Sequence, residues 1–154
     1  MEDLSIVTYQ SKYKKDFVRL NSEWITTFFH LESSDLLALN DPEGYILNKG
    51  GQIFFALHQG KVVGCCALIH HPDNGTYELG KMAVTPKVQG LGIGYRLGMS
   101  LISYADGLGT GRIFLEGNTL MEASIVLYRK LGFKVIPIDE AAYERCDIKM
   151  ELEL

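Results

Sequence analysis

The sequence predicts a mixed α/β domain in which helices pack on one sheet. Short apolar runs typical of strands alternate with longer segments whose apolar residues recur at helical spacing. The predicted order of elements is β-α-α-β-β-β-α-β-α-β-β, with neither an internal repeat nor a linker. With 154 residues, the chain is expected to form a single domain over 1–154 that buries about two thirds of its unfolded surface.

Composition and charge narrow the classes of function. Hydrophobic residues make up 47% and charged residues 22% of the chain, as in ordinary globular proteins. A formal net charge of −4 without a Lys/Arg cluster argues against a nucleic-acid partner. No apolar run approaches the roughly 20 residues of a membrane span, and the start of the chain is acidic where a signal peptide would be basic. We therefore expect no membrane association and a cytoplasmic location.

The first fifty residues are predicted to be helical after one strand at 4–9. A helix from about 11 to 29 carries an aromatic stripe that we expect in the core rather than at a cofactor. The stripe consists of Tyr13, Phe17, Leu20, Trp24, Phe28 and Leu31. A shorter helical segment follows at 35–39. Asp41-Pro42 predicts one more helical turn, because proline is favoured at the first helical position.

Three strands are predicted next, at 53–57, 61–69 and 76–84. Gln59-Gly60 between the first two favours a tight hairpin. The second run is apolar throughout, so both of its faces should be covered. Because successive side chains alternate along a strand, Cys65 and Cys66 should point to opposite faces. We interpret them as small core residues rather than nucleophiles.

Alternating glycines after the third of these strands form the most informative stretch. Gly90, Gly92 and Gly94 precede a helix predicted at about 92–107. A helix N-terminus after a glycine turn presents unpaired N–H groups to phosphate or pyrophosphate, and glycine leaves the approach open. A P-loop is excluded because Tyr95-Arg96 stands where Lys-Ser/Thr is required, and the dinucleotide fingerprint fails at its third glycine. A turn that only caps the helix is the alternative.

The second half of the chain supplies the remaining elements. A strand is predicted at 112–117 and a helix from a Thr119-x-x-Glu122 capping box to Gly132. Strands follow at 133–138 and at 146–154, the latter with alternating apolar and polar residues. This terminal strand is one surface through which two copies could pair as a homodimer.

Two motifs at a characteristic separation resemble the GNAT superfamily of N-acetyltransferases. The first is Gln-x-x-Gly-x-Gly, starting at Gln89, where the family binds the pyrophosphate of coenzyme A. The second is Asn118 followed by Leu-Tyr-x-x-x-Gly-Phe at 127–133. The resemblance covers most of the chain except about 10–50, which is the family's variable acceptor-binding region. It implies a GNAT-like acyl-CoA N-acyltransferase fold with a central mixed sheet of six to seven strands and about four helices.

The resemblance also implies acetyl-CoA as co-substrate and no metal. Two strands of the family's sheet splay apart, so that Met82, Ala83 and Val84 would contact the pantetheine arm. The pyrophosphate would lie on Gln89, Gly90, Leu91, Gly92, Ile93, Gly94 and Tyr95. Asn118 would bond to the pantetheine side, and Tyr128 would lie beside the sulfur.

The implied reaction is direct attack of a primary amine on the thioester within a ternary complex. The amine belongs to a small molecule, a protein N-terminus or a lysine. We expect Tyr128 to protonate the departing thiolate, because an ordinary tyrosine is protonated at neutral pH. Glu78 is the first candidate base, with a sheet-paired or solvated carboxylate as the equal alternative, and Glu116 is the second candidate.

Other polar residues carry weaker signals. His70, His71 and Asp73 share a predicted loop, but further ligands at suitable spacing for a metal are missing. Several acids would suit a cationic acceptor: Glu32, Asp35, Asp139, Glu140 and Glu144. The alternative function is a non-catalytic acyl-CoA-binding or sensor module that keeps the loop without acceptor chemistry. The presence of Tyr128 favours the enzyme, since a binding module needs no acid at the sulfur.

Overall fold

A seven-stranded mixed sheet organises the computed structural model, which describes residues 3–88 and 90–154. The strands are β1 (Leu4–Thr8), β2 (Gln52–His58), β3 (Lys61–His71), β4 (Thr76–Val84), β5 (Arg112–Gly117), β6 (Lys134–Ile136) and β7 (Ile148–Glu153). The helices are α1 (Lys14–Phe28), α2 (Ser33–Asn40), α3 (Pro42–Tyr45), α4 (Ile93–Leu108) and α5 (Glu122–Lys130). The predicted fold class is confirmed, with five helices in the described residues where about four were expected.

The sheet consists of two antiparallel parts joined by a single parallel contact. Its strand order is β1-β2-β3-β4-β5-β7-β6. The strands from β1 to β4 pair antiparallel, as do β5, β7 and β6. The parallel pair β4–β5 has one bridge, Glu78 with Phe114, in the part of the chain that the structure describes. Beyond that bridge the two strands separate.

Each face of the sheet carries its own hydrophobic core. Cys66 lies in the core under α4 and α5, and its neighbour Cys65 lies in the core under α1 and α2. Both side chains are fully buried, as predicted for small core residues on opposite faces. The hairpin at Gln59-Gly60 is also confirmed, with positive φ values of 53° and 77° that suit the right-handed twist of paired strands.

The structure corrects the predicted role of the α1 stripe. Phe17 and Leu20 are buried in the core as expected, but Phe28 is 50% exposed. Trp24 and Phe28 line the large cavity described below. The stripe changes role because α1 runs past the edge of the core, so that its last turns face the cavity.

Two further predictions from the second half of the chain are wrong. Thr119 does not cap α5, because its N–H and hydroxyl both donate to Asp147 at 2.8 Å. The residue before the first turn of α5 is Met121. The terminal strand β7 lies between β5 and β6 and pairs with both, so it is not a free edge for a second copy of the chain.

A buried ion network ties α2 to the sheet and to the loop before β7. Asp35 is fully buried and accepts hydrogen bonds from Lys81 Nζ at 2.6 Å and from both terminal nitrogens of Arg145 at 2.7 and 2.8 Å. Burial alone would raise the pKa of Asp35, but the hydrogen bonds from Arg145 and the charge of Lys81 hold it well below its usual range. The carboxylate is therefore ionised at neutral pH.

Asp35→Asn is expected to lower the free energy of unfolding by about 3 to 5 kcal/mol, because it leaves Lys81 and Arg145 without their shared buried anion. Asp41→Asn is the control, since Asp41 is exposed and asparagine caps a helix equally well. Urea unfolding at pH 7 measures both changes. Equal small changes in the two variants would contradict a structural role for the network.

The stabilisation by Asp35 is also expected to depend on pH. Its folded pKa lies below the roughly 3.9 of an unfolded aspartate, so the contribution is complete above about pH 4 and is lost as the pH falls through the folded value. Between about pH 4 and pH 2, the free energy of unfolding should therefore fall less in Asp35→Asn than in the wild type. Parallel pH profiles would contradict the depressed pKa.

Candidate active site

A cavity of about 860 Å³ opens where β4 and β5 separate. Its walls come from the end of α1, the second half of β4, the glycine loop, α5 and the loop before β7. The cavity therefore brings together segments from most of the length of the chain. Its floor is the gap in the sheet, where strand pairing between β4 and β5 has ended.

A β-bulge in β4 accompanies this separation. Ala67 pairs with Gly80 and Cys65 pairs with Ala83, so that Lys81 and Met82 together oppose one residue of β3. Lys81 has a φ of 54°, a left-handed conformation that costs a non-glycine residue about 1 kcal/mol or more. Bulges bend the strand that contains them. The Lys81 ammonium is held by Asp35, which stabilises the strained conformation.

The glycine loop places the N-terminus of α4 at the cavity. Gly90 and Gly92 have φ values of 87° and 76°, and a Cβ added at either would meet no atom within 4 Å. These two glycines therefore supply left-handed backbone and open space. Gly94 serves packing instead, because its Cβ would lie 3.0 Å from Leu127 Cδ2 on α5. Gly92 is the N-cap of α4, so no side chain covers the first N–H groups of the helix.

The predicted cofactor residues fall into three groups. Most of them line the cavity: Met82, Ala83, Val84, Gly90, Gly92, Ile93, Gly94, Tyr95, Asn118 and Tyr128. Leu91 does not line it, and its side chain is 48% exposed. Gln89 lies outside the described residues.

Tyr128 lies on α5 at the wall of the cavity, half-buried against the core. Its ring packs edge-on against Phe133 at 6.3 Å, and its hydroxyl bonds to Ser124. Burial raises the pKa of Tyr128 to about 12, with a smaller contribution from Cys66. The hydroxyl is therefore fully protonated at neutral pH.

Glu78 reaches the cavity from β4 just before the bulge. Its side chain is 4% exposed, and Oε1 lies 2.8 Å from Nε2 of His71. His71 and His70 are both on β3, not in a loop as expected from the sequence. His70 stacks on Tyr77 and bonds through Nδ1 to the carbonyl of Lys49 at 2.7 Å. In the described part of the chain there is no group of three metal-binding side chains.

Glu116 and Asn118 line the cavity but are already engaged in holding the loop before β7. Glu116 accepts from the backbone N–H groups of Ala142 and Tyr143 at 3.0 and 3.2 Å. Burial raises its pKa, and the charge of Glu78 adds to the effect. Asn118 donates to the carbonyl of Arg145 at 2.7 Å and accepts from Leu120 N–H at 2.8 Å. These contacts make both residues structural parts of the cavity wall.

The part of the cavity that is lined by the end of α1 and the loop before β7 is aromatic and charged. Arg145 lies over the rings of Tyr143 and Trp24, at 4.6 and 5.7 Å from their centres. Lys81 donates to the Tyr143 hydroxyl at 3.2 Å. The sequence did not single out any of these four residues for the site, because their proximity depends on the bulge and on the loop before β7.

The five acids that the sequence suggested for binding a cationic acceptor do not line the cavity. Asp35 accepts hydrogen bonds from Lys81 and Arg145, and Glu32 accepts one from Arg145 Nη1 at 3.1 Å. The remaining three acids, Asp139, Glu140 and Glu144, are exposed and do not line the cavity. The acidic residues that do line it are Glu23, Glu78, Glu116 and Glu122.

The family model described as "Acetyltransferase (GNAT) family" matches residues 15–133. The chain belongs to the GNAT family of acetyltransferases. The resemblance seen in the sequence motifs is thereby confirmed. The glycine loop, the separation of β4 from β5 and Tyr128 all fall within the matched region, so the cavity is formed largely by the GNAT domain itself.

Known GNAT proteins are similar to this chain in sequence and in fold. N-acetylaspartate synthetase from Xenopus tropicalis is 31% identical over 112 residues, covering 72% of this chain and 41% of the relative. The chain thus spans less than half the length of that curated relative. An acetyltransferase from Streptococcus agalactiae has a TM-score of 0.86 at 24% identity over the whole of both chains. The Salmonella typhimurium yncA structure, determined with acetyl-CoA, has a TM-score of 0.75 at 20% identity and covers 97% and 93% of the two chains.

In the described residues of this GNAT domain, no helix is both long and apolar enough to cross a bilayer.

Proposed function

We propose that this GNAT domain transfers the acetyl group of acetyl-CoA to a primary amine by direct attack in a ternary complex. The observation that carries the proposal is the cavity of about 860 Å³ at the gap between β4 and β5. Three features line this one cavity: the N-terminus of α4, where an anion would bind, the hydroxyl-bearing side chain of Tyr128, and the carboxylate of Glu78. The acetyl-CoA in the similar Salmonella structure supports the same cofactor here.

The cofactor would lie along the cavity from α4 towards β4. The pyrophosphate takes the first N–H groups of α4, where Gly90 and Gly92 leave open space and the helix dipole favours negative charge. The pantetheine arm follows Met82 to Val84 past the bulge, and the thioester arrives between Tyr128 and Glu78. No metal is required by this arrangement.

Two side chains, Glu78 and Tyr128, would carry out the proton transfers of the reaction. An ammonium must lose a proton before its nitrogen can attack, and the buried Glu78 carboxylate is placed to accept it directly or through water. The tetrahedral intermediate needs fixed N–H donors, which the β4 backbone beside the gap can supply. The Tyr128 hydroxyl, protonated because its pKa is about 12, donates to the thiolate as it leaves.

The charges near the loop before β7 favour a cationic amine over an acceptor that carries a carboxylate next to its amine. Lys81 and Arg145 are neutralised by Asp35 and Glu32, so they offer no uncompensated positive charge. Glu78 remains as a buried acid in the cavity wall. This differs from the aspartate product in the name of N-acetylaspartate synthetase, whose relation to this chain covers only part of its length. The aromatic rings of Trp24 and Tyr143 would contact the body of the acceptor.

We place the protein in the cytoplasm. The three cysteines of the described residues are all free thiols, as is usual in a reducing compartment.

Gly92→Asp is expected to weaken acetyl-CoA binding by roughly tenfold or more, because a carboxylate at the α4 N-cap repels the pyrophosphate. Gly92→Asn is the matched control, since both residues tolerate left-handed backbone and differ in charge. Isothermal titration calorimetry with acetyl-CoA measures both. Equal affinities for the two variants would contradict the placement of the pyrophosphate.

Tyr128→Phe separates the enzyme from a non-catalytic acyl-CoA-binding module. An enzyme should lose roughly 10²-fold in kcat while its affinity for coenzyme A is kept, because the ring and its contact with Phe133 remain. Tyr104→Phe is the control, since Tyr104 packs on Phe54 away from the cavity. The measurement is release of free thiol from acetyl-CoA over a panel of amines. Unchanged kcat in Tyr128→Phe would remove the tyrosine from the mechanism.

A further inference from the structure

A hydrogen-bonded pair connects the cavity wall with a partly exposed histidine on β3. Glu78 lines the cavity with a side chain that is 4% exposed, whereas His71 is 29% exposed and does not line it. Their Nε2 and Oε1 atoms are 2.8 Å apart. Glu78 therefore belongs to the cavity wall, and His71 does not.

The sheet itself holds this pair in place. Ile69 pairs with Glu78 and His71 pairs with Thr76, so that His71 and Glu78 are diagonal neighbours on one face of adjacent strands. The His71 ring packs on Phe114, with the ring centres 5.8 Å apart. Both partners therefore lie on regular strands and not on a mobile loop.

The hydrogen-bond partners determine which ring nitrogen carries the proton. An ionised carboxylate only accepts, so His71 carries its proton on Nε2 and donates to Glu78. The neighbouring His70 faces a carbonyl through Nδ1, so its proton lies on Nδ1. Two adjacent histidines are thus expected in opposite tautomers.

This arrangement leaves one oxygen of Glu78 for chemistry. Oε1 is occupied by His71, whereas Oε2 lies beside Gly80, where an added Cβ would be 3.3 Å away. Other groups feel the charge of this carboxylate: Tyr45, Lys81, Glu116 and Tyr143. The hydrogen bond that orients the carboxylate comes instead from His71.

We infer that His71 is a positioning residue that orients Glu78 so that Oε2 takes the proton of the acceptor amine. This inference rests on the proposed function. In the step, an N–H bond of the ammonium breaks, its electron pair stays on nitrogen, and the proton forms an O–H bond at Oε2. The Nε2–H of His71 stays bonded to Oε1 throughout.

Four variants test the role through steady-state kinetics. His71→Phe removes the donor and should lower kcat about tenfold, part of the roughly 10²- to 10⁴-fold supplied by a general base, with the KM for acetyl-CoA unchanged. His71→Gln keeps an N–H donor at a similar reach and should recover most of that loss. His70→Gln alters the neighbour that does not touch Glu78 and should match the wild type. Glu78→Gln sets the full effect of losing the base.

Nitrogen-15 NMR of the two histidines gives a readout that does not depend on activity. At pH 8, His71 should show a protonated Nε2 and His70 a protonated Nδ1. A bare Nε2 on His71 would overturn the inference, because Glu78 would then be the donor.

The kinetic outcomes separate this inference from the proposed function. Full activity of His71→Phe in a protein that transfers acetyl groups would overturn the positioning role alone. A wild-type protein that binds no acetyl-CoA would overturn the proposed function, while the tautomers would still decide whether the pair exists.

Discussion

The buried contact between Lys81 and Asp35 is the interaction on which the site depends. Lys81 occupies a left-handed bulge that interrupts β4, and its ammonium reaches a carboxylate on α2 that is shared with Arg145. One anion thus joins β4, α2 and the loop before β7. Because isolated charges are costly to bury, these three segments must assemble together.

The two faces of the sheet differ in what they pack against. The face under α4 and α5 is a continuous apolar core that places the glycine loop and Tyr128. The opposite face is apolar under α1 and α2, but becomes polar where Glu78, His71 and Glu116 stand. The cavity lies at the boundary between these regions.

Local patterns in the sequence were sufficient for the order of elements along the chain and for the glycine loop before α4, whereas the cavity positions of Tyr128 and Glu78 were expected from the family resemblance. The hairpin at Gln59-Gly60 and the buried cysteine pair follow from alternation and turn chemistry alone. The errors come from contacts between distant residues. Thr119 bonds to Asp147, 28 residues away, instead of capping its helix. Asp35 pairs with residues 46 and 110 positions away, so an acid that resembled an acceptor site is structural. No local pattern encodes such partners.

Acetyl-CoA is proposed to occupy the gap between β4 and β5. Hydrogen–deuterium exchange with and without saturating acetyl-CoA tests that statement most directly. We expect slower exchange in the second half of β4 and the first turn of α4, with no change in β2, which lies two strands from β4. Exchange unaltered in β4 and α4, or slowed only at the distant strands, would contradict it.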